Sequence, residues 1–478
     1  MTDFAPRVAT RTGQHGRVDH RQEGKVVTTP AFVDAHVHAT ATGLALTGLD
    51  LHGCRSLADL LGRVEAFARS GRGRVVLGTG WDDTGWPERR PPTCQELDRA
   101  AYGGAVYLAR VDAHSAVVSS ALLAAAPEAR SAEGFDDGGH VRLEAHHVVR
   151  RAAYAGITSD QRRVAQRATR ARAAALGIGS LQEMSGPEVA GRVDLEALLY
   201  LAATEPGPAV LAYWGELGGF DVVTDLGLAG AGGDLFCDGS FGSHTAALGT
   251  PYTDAPTSGH LRYADEHVAD HVRQATAAGI QAGFHVIGDA AIDQVVRAVE
   301  LVATELGLDA VRAAGHRLEH AEMPRPEHIS SMARLGMLAS VQPAFDAAWG
   351  GPEAMYAQRL GAGRAAALNP LAAYAAAGVP LALGSDAPVT PLDPWGGVAA
   401  AVAHRTPGSG LTVEQALHAA TVGGWYAART ADPGSHATWD CPTHAELVER
   451  ALAGEPARCL RTVVAGQVVH DVEGEVTA

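Results

Sequence analysis

The chain has 478 residues, 46% of them apolar, and a formal net charge of −16. That length supports one large domain or two to three smaller ones, and the acidic balance excludes nucleic acid and anionic membrane as main partners. No apolar run reaches spanning length, no signal peptide is recognisable before residue 30, and the five scattered cysteines show no C-x-x-C pair, so a reduced, cytoplasmic protein is expected.

The first informative element lies at residues 26–38. Val26, Val27, Phe32 and Val33 predict a buried strand that ends in His36 and His38. Strand side chains alternate faces, so the i, i+2 spacing puts both imidazoles on one side. Residues 51–171 then break the pattern and read as an insertion, with short strands of their own at Val75–Gly78 and Ala105–Ala109. Further strands are expected near 178–184, 208–214, 234–238, 281–286, 316–320, 337–342 and 380–386. Helices are expected at 265–278, 290–306, 326–335 and 365–377, with Gly279 and Gly336 as stops and Asp289 as a cap. With residues 32–38 this makes eight strands alternating with helices, enough for a TIM-like (β/α)8 barrel. Residues 461–471 predict a hairpin. The expected division is a small β appendage (1–28 and 429–478), a barrel (29–50 and 172–428) and an insertion (51–171) contributing to a substrate pocket.

In such a barrel the C-terminal strand ends share one face. The first strand brings His36 and His38 there, the fifth His285, the sixth His320 and the eighth Asp386. Four imidazoles and a carboxylate converging from separate strands predict a divalent-metal site, most simply Zn²⁺.

These residues, together with Gly80-Trp-Asp, Asp112-Ala-His-Ser, the segment from Asp238 to Leu248, His285-Val-Ile-Gly-Asp, Gln342-Pro and Ser385-Asp-Ala-Pro, resemble the metal-dependent amidohydrolase superfamily. Within it the chain is similar to the amidohydrolase-3 group that includes N-substituted formamide deformylases. The resemblance implies that His36, His38, His285, His320 and Asp386 bind metal, that Asp386 and His320 form the catalytic set, and that Asp386 shuttles the proton of a metal-activated water. It implies hydrolysis of a non-peptide C–N bond, an N-acyl or N-formyl amide, in a small molecule. Trp81, Asp82, His114, Asp238, His244 and Gln342 are the substrate-binding candidates. Many relatives carry a carboxylated, metal-bridging lysine where this chain has Asp234. The only lysine is Lys25, before the first strand, so no carboxylated lysine can form in the barrel. Asp234 bridging directly, Glu183 reaching in, or a single metal are the alternatives; one metal is favoured over two. The rival functions are a mononuclear deaminase, disfavoured because Asp289 stands where an acidic Glu is expected, and a catalytically silent metal-binding homologue. A homodimer is compatible with the sequence.

Overall fold

The computed structural model describes residues 26–71, 73–83, 85–110 and 115–472. Eight parallel strands form its central sheet: β1 (Phe32–Val37), β2 (Ile178–Ser185), β3 (Ala209–Trp214), β4 (Gly230–Ala231), β5 (Gln281–Val286), β6 (Arg317–His320), β7 (Leu338–Val341) and β8 (Leu381–Leu383). Each strand pairs with its neighbours in sequence. The two edges approach through a parallel bridge between Val37 and Ala387. There Asp386 donates its backbone N–H to the His36 carbonyl (2.8 Å) and His38 to the Ala387 carbonyl (3.0 Å). The result is a nearly closed barrel. Inward-facing side chains would normally be apolar, yet Arg317, Glu319, Gln182, Tyr213 and Gln281 are all fully buried within it, joined by the bonds of Arg317 to Glu319 and Gln182 and of Tyr213 to Gln281.

Two expectations need correction. The fourth strand is not 234–238 but the shorter Gly230–Ala231. Gly232 (φ 143°) and Gly233 (φ 80°) end it. A Cβ on Gly232 would lie 2.0 Å from the Gly283 carbonyl oxygen, so only glycine lets the chain run this close to β5. The helix expected at 365–377 is broken into Ala362–Ala365 and Leu371–Ala377. Pro370 lacks an N–H, and Asn369 is left-handed (φ 49°) with its N–H donated to the Glu322 carbonyl.

Residues 49–142 contain a separate five-stranded mixed sheet: Leu49–Asp50, Val76–Trp81, Val106–Arg110, Ser115–Val118 and His140–Arg142. Its strands alternate cleanly. Val76, Val106, Leu108 and Val117 pack under Leu60 and Leu97 on one face, while Leu77, Tyr107, Ala116 and Val118 pack under Leu122 and Val149 on the other. A four-stranded antiparallel sheet joins Val27–Pro30 to His436–Trp439, Cys459–Val464 and Gln467–Asp471. Trp439 ties it to the barrel through Phe32 and Trp395. Among the described residues no helix is long and apolar enough to cross a membrane.

Two buried histidines give the fold a pH signature. His316 accepts the Ala282 N–H at Nδ1 (3.0 Å) and shares a bond with the Thr276 hydroxyl (2.9 Å); His271 accepts the Gly218 N–H (3.1 Å) and faces the Ala231 carbonyl (3.3 Å). Burial pushes their pKa values down to about 3 and about 4. Both are neutral in the fold, whereas the unfolded chain protonates them near pH 6.5. Stability from this source is therefore present above pH 6.5 and falls as the pH drops towards 4, by about 1.4 kcal/mol per pH unit for each histidine. His316→Asn should flatten the acid limb of a plot of melting temperature against pH; an unchanged limb would contradict the assignment.

Candidate metal centre

The C-terminal mouth of the barrel gathers side chains from strand ends around Asp234. Its Oδ1 lies 3.4 Å from His36 Nε2, 3.5 Å from His285 Nδ1 and 3.7 Å from His320 Nε2; its Oδ2 lies 3.1 Å from His38 Nε2. Asp386 Oδ1 closes the other side, 3.1 Å from His38 Nε2 and 3.5 Å from His36 Nε2. Gly232, two residues before Asp234, lets the chain pass close to Gly283 of β5.

Each imidazole is held by its other nitrogen. His36 donates Nδ1–H to Glu319 (3.0 Å), His38 donates Nδ1–H to the Met184 carbonyl (3.1 Å), and His285 donates Nε2–H to the Gly239 carbonyl (3.3 Å). His320 Nδ1 donates to the Gln342 side-chain oxygen (2.8 Å). These acceptors fix the tautomers, so every remaining ring nitrogen presents a lone pair to the centre. Glu319 and His320 are consecutive yet face the same site. The left-handed backbone at His320 (φ 66°) makes this turn, and Asp386 is left-handed too (φ 51°).

Charge at the centre is unbalanced. Burial opposes a proton on His36, but Asp234, Glu319 and Asp386 outweigh it and push its pKa up to about 10. Burial likewise opposes charge on Asp234, but His36, His285 and His320 hold its carboxyl well below the usual range. Glu319 is drawn down to about 2, because the Arg317 guanidinium beside it overcomes its burial. The carboxylates therefore demand positive charge, which protons or a divalent cation can supply.

The hydrogen-bond pattern favours the cation. Among the described residues, His36 Nε2, His285 Nδ1, His320 Nε2 and Asp234 Oδ1 are buried and have no hydrogen-bond partner. Such orphaned atoms are costly unless something binds them. The four closest contacts joining His36 and His38 to Asp234 and Asp386 are 3.1–3.5 Å long. Donors arranged tetrahedrally about a zinc-sized ion would be separated by roughly 3.3 Å. Among the described residues, two overlapping groups offer converging ligand atoms: His36, Asp234 and His320, and His36, His38 and Asp386. The residue set fits a divalent cation.

Other candidates lie elsewhere. Glu183 does not reach the centre; it accepts the Ala39 N–H (2.7 Å) at the start of the helix after β1, and burial raises its pKa to about 7. Trp81 is a core residue rather than a pocket wall: it is fully buried, packs against Trp86 and donates its indole N–H to the Leu108 carbonyl. Asp238, expected at substrate, instead accepts three backbone N–H groups, from Ala247, Ile287 and Gly288, and so pins the loop after β4 to the end of β5. Gln342 touches His320 and serves as its anchor. His244 bonds to Asp254 and packs on Tyr252. Asp82 pairs with Arg110 (2.6 Å). His114 and Lys25 lie outside the described residues. Asp289 is the first residue of its helix rather than its cap, and its carboxylate accepts from Gly249 and Arg325. Sequence reasoning passes over Glu319 as a functional residue; its only signal there is its place beside His320.

"Protein LONG AFTER FAR-RED 3" of Arabidopsis thaliana is 27% identical over 421 residues, 82% of this chain and 71% of that protein. The "Putative amidohydrolase YtcJ" of Bacillus subtilis (strain 168) is 26% identical over 414 residues, 79% of this chain and 73% of that protein. The crystal structure of an uncharacterized metal-dependent hydrolase from Pyrococcus furiosus superposes with a TM-score of 0.72 at 29% identity, covering 85% of this chain and 83% of that one. Residues 23–438 match the amidohydrolase family, and the chain belongs to it.

Proposed function

We propose that the chain is a metal-dependent hydrolase acting on a non-peptide C–N bond, an N-acyl or N-formyl amide of a small molecule. The observation that carries this reading is the set of four orphaned buried atoms around Asp234, with a second carboxylate, Asp386, beside them. His36, His38, Asp234 and Asp386 would hold the cation, with His285 and His320 completing its far side. A divalent cation supplies Lewis acidity there, polarising a carbonyl and acidifying water. Asp386 takes the proton of the attacking water and returns it to the leaving nitrogen. Glu319, Met184, Gly239 and Gln342 accept from the other nitrogen of each imidazole and keep the four rings aimed. Residues 51–171 supply part of the pocket wall. The deaminase alternative loses ground because the Asp289 carboxylate is already engaged by Gly249 and Arg325.

Protein purified without chelator should carry about one tightly held equivalent of metal per chain, and Asp234→Ala should lose most of it. A second reading, a pair of cations bridged by Asp234, is favoured by the split of its oxygens, Oδ2 towards His38 and Oδ1 towards His285 and His320. Two firm equivalents would select it. A screen of amides against Zn-, Mn- and Fe-loaded protein tests the reaction; ammonia release from heterocycles with no amide cleaved would overturn it.

A further inference from the structure

Phe236 is a partly exposed aromatic residue packed against His285 of the metal centre. Past the bend at Gly232 and Gly233 the chain makes one isolated bridge, Phe236 to His285: His285 donates its N–H to the Leu235 carbonyl and Cys237 its N–H to the His285 carbonyl, both at 3.0 Å. Leu235 and Cys237 are fully buried in the core outside the barrel. Phe236, between them, lies on the opposite side, towards His285. Asp234 is buried, while Phe236, two residues further towards the mouth, is only partly so. Its ring centroid lies 4.8 Å from that of His285.

The surroundings of Phe236 are built rather than incidental. The Arg262 guanidinium lies 5.7 Å from the Phe236 centroid and is held by both carboxylate oxygens of Glu188 at 2.8 Å. Arg262 is pinned in turn by its N–H on the Cys237 carbonyl (2.9 Å). Across the centre, the His285 and His320 rings are 4.4 Å apart, and Phe345 stacks nearly parallel on His320 (12°, 5.9 Å). Half-buried Trp349 continues that aromatic side, 4.9 Å from Phe345. On this side of the centre His285 and His320 thus each carry an aromatic ring on their flank. A partly exposed ring packed against a candidate metal ligand is a place where an apolar or aromatic group can make contact, by the edge where Arg262 covers the face.

We propose that Phe236 is the specificity wall of the site, and that the amides it selects carry an aromatic or bulky apolar substituent on the acyl carbon or the nitrogen. This inference rests on the metal-dependent reading above and deepens it. An aromatic contact of this kind is worth about tenfold in affinity.

The test is equilibrium binding of four hydroxamates to zinc-loaded protein by calorimetry, which requires no turnover. Benzohydroxamate is paired with acetohydroxamate for the acyl side, and N-phenylacetohydroxamate with N-methylacetohydroxamate for the nitrogen side. In at least one pair the aromatic member should bind about tenfold tighter. Phe236→Ala should bring that ratio towards parity with its zinc content matching the wild type, and Phe236→Tyr should restore it. Equal binding within both pairs, or a preference that survives Phe236→Ala in zinc-replete protein, would overturn the aromatic wall alone. If none of the four binds the zinc-loaded wild type, the wall and the catalytic reading fall together.

Discussion

Asp386→Asn should yield a folded, metal-containing protein with kcat reduced by about 10²–10⁴ and KM little changed, the loss expected when a positioned acid–base group is removed. The substitution is nearly isosteric. The bonds that close the barrel here are made by backbone, from Asp386 N–H to the His36 carbonyl and from His38 N–H to the Ala387 carbonyl, and they survive it. Asp34 continues to accept the Ser385 N–H (2.9 Å). What disappears is proton affinity. Burial opposes charge on Asp386, yet His38 and His36 hold its carboxyl below the usual range. It is therefore ionised and able to accept a proton, which an amide is not. Metal content should be measured on the same sample, because Asp386 is also a candidate ligand. Full metal with normal kcat would remove Asp386 from the reaction; lost metal with activity restored by excess zinc would make it a ligand only.

The parts of this site that are legible in the sequence share one property: each is set by local position. His36, His38, His285, His320 and Asp386 sit at or just beyond strand ends, and the barrel rule collects strand ends on one face. The fourth strand is misplaced by sequence reasoning because Leu235, Phe236 and Cys237 form an apolar run, while the regular strand ends at the Gly232–Gly233 dipeptide just before it and only an isolated bridge of Phe236 to His285 follows. The helix break is visible in principle, since Asn369-Pro370 is a stop signal inside a helical pattern. Trp81 and Asp238 illustrate the other limit. Their neighbours in sequence suggest a pocket, but Trp81 is claimed by Leu108 and Asp238 by three backbone amides up to 50 residues away. Glu319 is the extreme case: its partner His36 is 283 residues distant, and only the closed barrel brings them together.

The ion pair that holds Glu319 in place carries the largest expected stability effect, and Arg317→Met should expose it by lowering stability by about 3–5 kcal/mol. Arg317 is fully buried. It donates to both Glu319 oxygens, to the Gln182 side-chain oxygen (2.7 Å) and to the Ala35 carbonyl (2.8 Å), and it lies 4.6 Å from the centroid of the Tyr213 ring. Removing it strands the Glu319 carboxylate in the barrel interior without its counter-charge. The double variant Arg317→Met/Glu319→Gln removes both charges of the pair and should regain much of the denaturant midpoint, measured on metal-free protein. Metal affinity should behave differently. Ionised Glu319 fixes the Nδ1–H tautomer of His36 and strengthens Nε2 as a donor, a role whose loss costs about 10–100-fold in affinity. The neutral amide that Glu319→Gln introduces accepts a weaker bond from His36, so chelator competition should still show most of that deficit. If the double variant recovered stability and affinity together, the ion pair would be packing alone. A recovery of stability without affinity would assign Arg317 to holding Glu319, and Glu319 to holding the metal ligand.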